Sequence, residues 1–438
     1  MSIFFTIIFQ VDWAMGQSTL NGVLQNYLAA QTSGDQEFIA ARNRLRFQFD
    51  KSTDFGGLTA ELDLIHTFNK TQDLQFLLKE AYLDWYLDKY DLRIGHQKII
   101  WGRANGAFVT DIITPVDLRE FLTISAEDIR FGVTSFNAIR YFGANSLQFV
   151  FSPFPQHDLL PAIDSRWFPA QEFLEIFSIT PVTSNVNEEP YSIKDIQLAL
   201  RYSLYSPQNL DLDLFLMRWT HPTPAYNLTF DLADLPDFPS INFEENSQNS
   251  LMAGISSSIK IHSKLIVLME SLFVRDKLFT RFPFPDDFQP GDFPDPLTIP
   301  ENIEFDDNLL VTKPWIHSMA GIRTEFFKTT IDAQFFVEGI FDYDEEILHQ
   351  KVYKYTSLLA ARSFLRERLH MLTLSRYNID TNDFWVQLQG QYDLTDSLRL
   401  TLGTNLFGGE SSNGLSGHLS FSEYRENSFI FSRLALFF

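Results

Sequence analysis

Cysteine is absent from the 438 residues, which excludes disulfide frameworks and thiolate chemistry. It also suits a chain that crosses an oxidising compartment unfolded, where stray thiols would cross-link. No stretch approaches the ~18–20 consecutive apolar residues that carry a helix across a bilayer, and mean hydropathy is slightly negative. A helical membrane protein is therefore excluded. A transmembrane barrel escapes that test, because its apolar residues stand at every second position. Basic residues are few: 34 Lys and Arg against 56 Asp and Glu leave a net charge of −22. Nucleic acid is thus no partner, since phosphate binding needs a basic surface.

Catalytic signatures are missing too. The nine His are scattered, without a His-Glu-x-x-His or a pair at helical metal spacing, and there is no Gly-x-Ser-x-Gly or phosphate-binding glycine loop. Ser416-Gly417-His418 reads as a chance grouping in a Gly/Ser-rich loop. The acids Asp286-Asp287 and Glu304-Phe305-Asp306-Asp307-Asn308 could offer oxygen ligands to Ca²⁺, but solvated acidic loops are the more ordinary account. No enzymatic activity, cofactor or metal is expected.

What is present is aromatic and periodic. The chain holds 44 Phe and 15 Tyr and ends in Asn427–Phe438, NSFIFSRLALFF. Leu436, Leu434 and Ile430 fall on one face at period two, with Ser432 its weak member. A short amphipathic strand stopping on an aromatic is what the closing strand of an outer-membrane barrel needs, and Phe438 is the expected assembly signal. Alternating segments of about ten residues recur along the chain, as such a barrel demands. Leu45, Phe47 and Phe49 alternate with Arg42, Arg44, Arg46 and Gln48; Leu58, Ala60, Leu62 and Leu64 alternate with Thr59, Glu61 and Asp63. Ala81, Leu83 and Trp85 oppose Glu80, Tyr82 and Asp84, and Phe384, Val386 and Leu388 oppose Trp385, Gln387 and Gln389. Charges on the second face would be ruinous in a dry core; lining water, they cost little.

The connections alternate as well. Turns such as Asp88–Asp91, Gly143–Asn145, Ser206–Asn209 and Asp393–Asp396 are short and read as periplasmic, whereas 104–130, 153–192, 220–248, 277–313 and 408–426 are long and read as extracellular. The fold class predicted is all-β: a transmembrane antiparallel up-and-down barrel of about 18 strands, with 16 the alternative. Residues 343–378 need two strands, Tyr353–Phe364 and Leu369–Tyr377, to keep the up-down parity. Residues 1–16 read as a signal peptide that lacks its positive start, the alternative being an ordinary first strand; 17–438 form one barrel domain. Phe-Pro-rich stretches, among them 151–168, 235–243 and 279–307, are expected to fold over or into the mouth.

Arg42, Arg44 and Arg46 form a ladder on one strand face, with Glu61, Asp63, Glu80 and Asp84 on the corresponding faces of the next two strands. An outward Arg would cost about 2–4 kcal/mol at the bilayer midplane, so the ladder is placed inward. There it would set a field across a pore or stiffen the wall by ion pairing. Arg93, Gln97, Trp101 and Arg103 share a further face, leaving His96 and Lys98 on one that fits lipid badly and signals a bulge or rim. Arg42, Arg44, Arg46, Glu61, Asp63, Glu80, Asp84, Arg93, Gln97 and Arg103 are the candidate pore-lining residues, gated by the 104–130 loop.

Arg93, Gly95 and Gln97, then Ile99-x-Trp101-Gly102 and Thr110-Asp111-x-Ile113-x-Pro115-x-Asp117-Leu118-Arg119, resemble a group of porin-like outer-membrane proteins of unknown function. That group is similar in style to the alginate-export barrels. Ser152–Pro169, with Leu160-Pro161 and Ser165-Arg166-Trp167, matches a second segment of the group, and the terminal aromatic strand a third. The resemblance covers the first 170 residues and implies a pore with a loop folded inward after Trp101-Gly102. Alginate exporters pass a polyanion along a strongly basic lumen, and the many acids here argue against that cargo. The reading that results is a channel in the outer membrane of a Gram-negative bacterium for passive diffusion of small hydrophilic solutes. Its partners would be lipid and lipopolysaccharide outside, the barrel-assembly machinery, and a small-molecule solute within. The alternative is a loop-plugged structural or docking barrel with partners in an envelope or surface complex.

Overall fold

A computed structural model describes residues 17–34, 36–68, 73–126, 128–169, 180–186, 191–206, 209–231, 240–281, 309–410 and 417–438. In chain order the first strands are β1 (Gln17–Gln31), β2 (Phe38–Thr53), β3 (Gly56–Thr67), β4 (Asp73–Leu87), β5 (Tyr90–Gln97), β6 (Val133–Phe142) and β7 (Asn145–Ser152). Next come β8 (Thr180–Val186), β9 (Gln197–Ser206), β10 (Leu210–Thr220), β11 (Ala225–Asp231), β12 (Ser240–Asn246), β13 (Asn249–His262) and β14 (Leu265–Thr280). The last are β15 (Leu310–Phe326), β16 (Thr329–Ile340), β17 (Val352–Phe364), β18 (Leu369–Asn378), β19 (Asp383–Asp393), β20 (Leu398–Gly409) and β21 (Phe429–Phe437).

Eighteen of these strands make one antiparallel sheet, each paired with the next along the chain. β7 passes to β9, and β10 to β13. The ring closes where Val23–Gln31 of β1 pairs with Phe429–Phe437 of β21. Closure leaves no edge, so backbone N–H and C=O groups are satisfied within the wall, the condition for strands in hydrocarbon. The count is thus 18 rather than 16, and β17 and β18 are the two strands expected across 343–378. One element escaped the sequence reading: β8, β11 and β12 form a separate three-stranded sheet within the long segments.

Polarity follows the wall throughout. Outward Phe76, Leu62, Leu216 and Leu402 are 77%, 47%, 52% and 54% exposed, a surface that only lipid would cover. Their neighbours Glu61, Asp63, Asp213 and Thr401 point inward and are buried. Leu434, Leu436 and Ile430 of β21 are likewise exposed outside. Phe438 caps that strand by exchanging backbone hydrogen bonds with Gly22 at 2.7 and 3.0 Å. The turns between β4 and β5, β6 and β7, β9 and β10, and β19 and β20 all lie at one end of the barrel, and the long segments leave from the other.

Two irregularities aim side chains inward. The β3–β4 register shifts between Glu61 and Leu62, leaving Lys79 as an extra residue on β4. Lys79 and Glu80 therefore both face the lumen, as a bulge allows. Gly95 on β5 adopts φ +135°, and an added Cβ there would lie 2.2 Å from the Ala81 carbonyl oxygen; only glycine fits. The strand stops two residues later. Trp101 and Arg103 consequently do not continue the β5 face, contrary to the pattern reading, but travel on a segment that leaves the wall. Residues 1–16, both acidic clusters and Ser416 lie outside the described residues.

Candidate functional site

The β2 ladder faces inward and is met by carboxylates on every side. Arg46 donates to both oxygens of Asp63 at 2.6 Å and lies 3.3 Å from Glu61. Arg44 donates to Gln25 Oε1 at 2.6 Å. Nearer the short-turn end, Arg93 of β5 forms a fork with Asp84 of β4 at 2.7 and 3.1 Å and stacks 3.8 Å from the Tyr82 ring. Gln97 is fully buried and ties β5 to β6 through Ser135 and Asn137.

Beyond Gln97 the chain turns into the lumen as an arm, residues 98–132. Lys98 starts it between Glu61 (3.5 Å) and Glu80 (3.7 Å). His96 meets Thr134 at 3.3 Å, so the irregularity expected at these two residues is where wall gives way to arm. Trp101 stacks on Phe215 at 5.2 Å and donates its indole N–H to Gln148. The arm then docks on the far wall. Arg103 pairs with Asp213 at 2.7 Å while its backbone N–H donates to Glu270. Asn105 donates from its backbone to Gln334 and from its side chain to Asp332, both at 2.8 Å. Ser357 donates to the Asn105 carbonyl at 2.7 Å. These wall groups satisfy backbone that belongs to no sheet, which is why an irregular segment survives inside the barrel.

The returning half of the arm reaches the β2 ladder. Asp128 accepts from Arg44 at 2.5 Å and Arg46 at 2.9 Å, and its carbonyl accepts from Lys79 at 2.7 Å. Burial opposes its charge, but Arg44 and Arg46 hold the carboxyl well below the ordinary carboxylate range. Arg42 pairs with Glu120 and donates to the Thr123 carbonyl at 2.6 Å. Asp111, paired with Arg130 and accepting from the Trp101 N–H, is pushed up by burial.

Between ladder and arm, five cations (Arg42, Arg44, Arg46, Lys79, Lys98) face five carboxylates (Glu61, Asp63, Glu80, Glu120, Asp128). A cavity of about 170 Å³ remains beside them, bounded by Gln25, Arg42, Arg44, Lys79 and Arg119. Arg433 of β21 borders the same cavity, so the fixed charges balance to within one. The other face of the arm is apolar: Ile99, Trp101, Val109, Ile112 and Ile113 pack on wall residues from Val133 of β6 to Tyr355 of β17. A second cluster near the long-loop end joins Phe121 and Trp167 to Phe407, Tyr424 and Phe429, so the 151–168 stretch does fold into the mouth. His418 stacks on Tyr353 at 3.8 Å and accepts from the Gln350 N–H, which occupies the lone pair a catalytic base would need.

The structure thus gathers Arg42, Arg44, Arg46, Glu61, Asp63 and Glu80 around the arm. It sets the Asp84–Arg93 pair apart, buries Gln97 in the wall, and carries Arg103 to the opposite side. Sequence reasoning missed Lys79, Glu120, Asp128, Asp213, Glu270 and Asp332. Lys79 alone left a local signal, a charge at a position that strict alternation gives to lipid; the others meet the site only through the folded arm.

A closed 18-stranded barrel narrowed by an inward arm is the architecture of a porin-like transmembrane barrel of the outer-membrane type. No family model and no curated protein matches the chain. Solved structures do match its fold. The outer membrane protein OpdK of Pseudomonas aeruginosa aligns with TM-score 0.53 at 9% identity, over 96% of this chain and 98% of its own. OccK2 (OpdF) of the same organism, in complex with glucuronate, aligns with TM-score 0.52 at 7% identity, over 96% and 97%. OccAB3 of Acinetobacter baumannii aligns with TM-score 0.50 at 9% identity, over 96% and 99%. The porin-like part of the resemblance stated above stands on these; its alginate-export part draws no support from them.

Proposed function

We propose that the chain is a channel of the Gram-negative outer membrane, letting small hydrophilic solutes diffuse passively past the arm at residues 98–132. The observation that carries this reading is the arm itself. It enters the barrel lumen, is pinned at both walls by charged groups, and leaves a polar cavity beside the β2 ladder. Selectivity in such a pore follows from the donors, acceptors and fields at its narrowest point. Small organic solutes accord with OccK2 bound to glucuronate and with OpdK solved with vanillate. Lipopolysaccharide outside, an assembly machinery reading Phe438, and a signal peptide at 1–16 complete the proposal. Purified protein in a planar bilayer gives discrete conductance steps; a folded barrel that inserts silently overturns the channel in favour of a docking barrel.

A further inference from the structure

The arm does not treat the wall evenly. Its tip docks at Asp332, Gln334 and Ser357 on β16 and β17, and a Cβ added at Gly106 would lie 4.0 Å from Leu374 of β18. Its returning half docks at β2 and β4. The next strand past the tip, β19, receives no hydrogen bond from any described arm residue. That strand presents Gln387, Gln389 and Gln391 inward, in register with Leu374, Leu372 and His370 of β18. The three side chains are half-buried, and no described residue hydrogen-bonds their amides. At about 6.7 Å per two residues they run about 13 Å from the level of the arm tip toward the short-turn mouth. Beside Gln387, Asn405 of β20 gives its oxygen to the Trp385 indole N–H and leaves its buried Nδ2 without a partner.

Charged groups near this track have partners of their own: Arg433 of β21, level with Gln391 through Thr401, lies 5.5 Å over the Tyr27 ring. Arg376 lies 3.7 Å over the Tyr355 ring and donates to Asn378, and Arg399 is tied to Asp393 at 2.7 Å. Four strands round the ring, the β2 ladder is paired with carboxylates of β3 and the arm. An anion passing there would have to displace Asp63 or Asp128 from a guanidinium. A primary amide offers both an acceptor and two donors, the complement of a vicinal diol, and it hydrogen-bonds a neutral solute without the desolvation cost of a charge.

We propose that β19 is the solute track of this channel and that its amide ladder serves a neutral polyhydroxylated solute of monosaccharide size. The inference rests on the channel reading and names its substrate class. Glucose and gluconate have similar size and differ by one charge, so proteoliposome swelling in each, with KCl conductance recorded in parallel, tests it. Glucose enters the wild-type vesicles faster than gluconate. The isosteric triple replacement Gln387→Met, Gln389→Met, Gln391→Met slows glucose about fivefold, the loss of roughly one net hydrogen bond, while KCl conductance holds. Gln389→Glu, which keeps the ladder polar, shifts the reversal potential toward K⁺. Gluconate entering as fast as glucose, a conducting triple variant with unchanged glucose entry, or a Gln389→Glu channel of unchanged selectivity each overturns the assignment alone. A folded wild-type barrel without KCl current overturns the channel reading and this assignment together.

Discussion

Replacing Asp128 by asparagine removes the carboxylate by which the arm holds two ladder arginines. Arg44 and Arg46 are 13% and 16% exposed in their side chains, and stripping a buried cation of its partner costs about 3–5 kcal/mol. Arg46 retains Asp63 at 2.6 Å and Glu61 at 3.3 Å, so the loss falls mainly on Arg44. That residue keeps Gln25 at 2.6 Å and a longer contact of 4.0 Å with Asp63. The docked arm should therefore lose about 3 kcal/mol, the lower end of the range. Lys79 still binds the backbone carbonyl at this position, so the arm loosens rather than leaves. The charge set gains one net positive charge. Single-channel recording across a KCl gradient should show added current fluctuation and a reversal potential displaced toward Cl⁻. Wild-type noise together with a wild-type reversal potential would refute the charge balance described for the ladder.

Gly106→Ala forces a side chain onto φ +84° and sets its Cβ 2.9 Å from Ser357, at about 1–2 kcal/mol for the backbone; the tip undocks, conductance rises, and an unaltered current counts against the docking. Deleting Phe438 removes the two backbone bonds to Gly22 and lowers the folded, heat-modifiable fraction on semi-native gels, whereas Phe438→Trp preserves it. Asp158 is pushed up to about 6 by burial, although the Val116 N–H and Thr223 hydroxyl favour its charge. A raised carboxyl pKa means the folded state binds the extra proton. The stabilisation is whole below about pH 4 and is lost as pH rises through about 6, amounting to about 3 kcal/mol. Hydrogen exchange at Val116, corrected for intrinsic rate, is therefore slower at pH 5 than at pH 7.5, and Asp158→Asn abolishes the difference.

The wall was legible because lipid and water impose opposite demands on alternate residues. Arg42, Arg44 and Arg46 could point only inward, and Leu434 and Leu436 only outward. The ion pairs between neighbouring strands, Arg46 with Asp63 and Arg93 with Asp84, followed from the same alternation plus hairpin order. The arm's anchors were not legible, since Arg103 with Asp213 or Asn105 with Asp332 joins residues brought together only when the ring closes. Lys79 was passed over because a strict period of two assigns it to the outside, and a bulge is invisible to that rule until a pairing register exists. The small sheet of β8, β11 and β12 had no alternating run long enough to stand out among the Phe-Pro segments. Trp167 shows the reverse case: its aromatic neighbourhood signalled burial, but not that Tyr424 and Phe407 would be the residues receiving it.

Because the apolar side of the arm is seated on the wall from β6 to β17, the barrel has two kinds of circumference. Over that arc, a change at Phe215, Met252 or Phe336 disturbs close packing and unseats the arm. Along β19, Asp383 and Trp385 at the long-loop end are packed and bonded, but Gln387, Gln389 and Gln391 support no part of the arm, and their replacement leaves the scaffold standing. Such a division lets one arc preserve the architecture while the other is free to diversify its cargo.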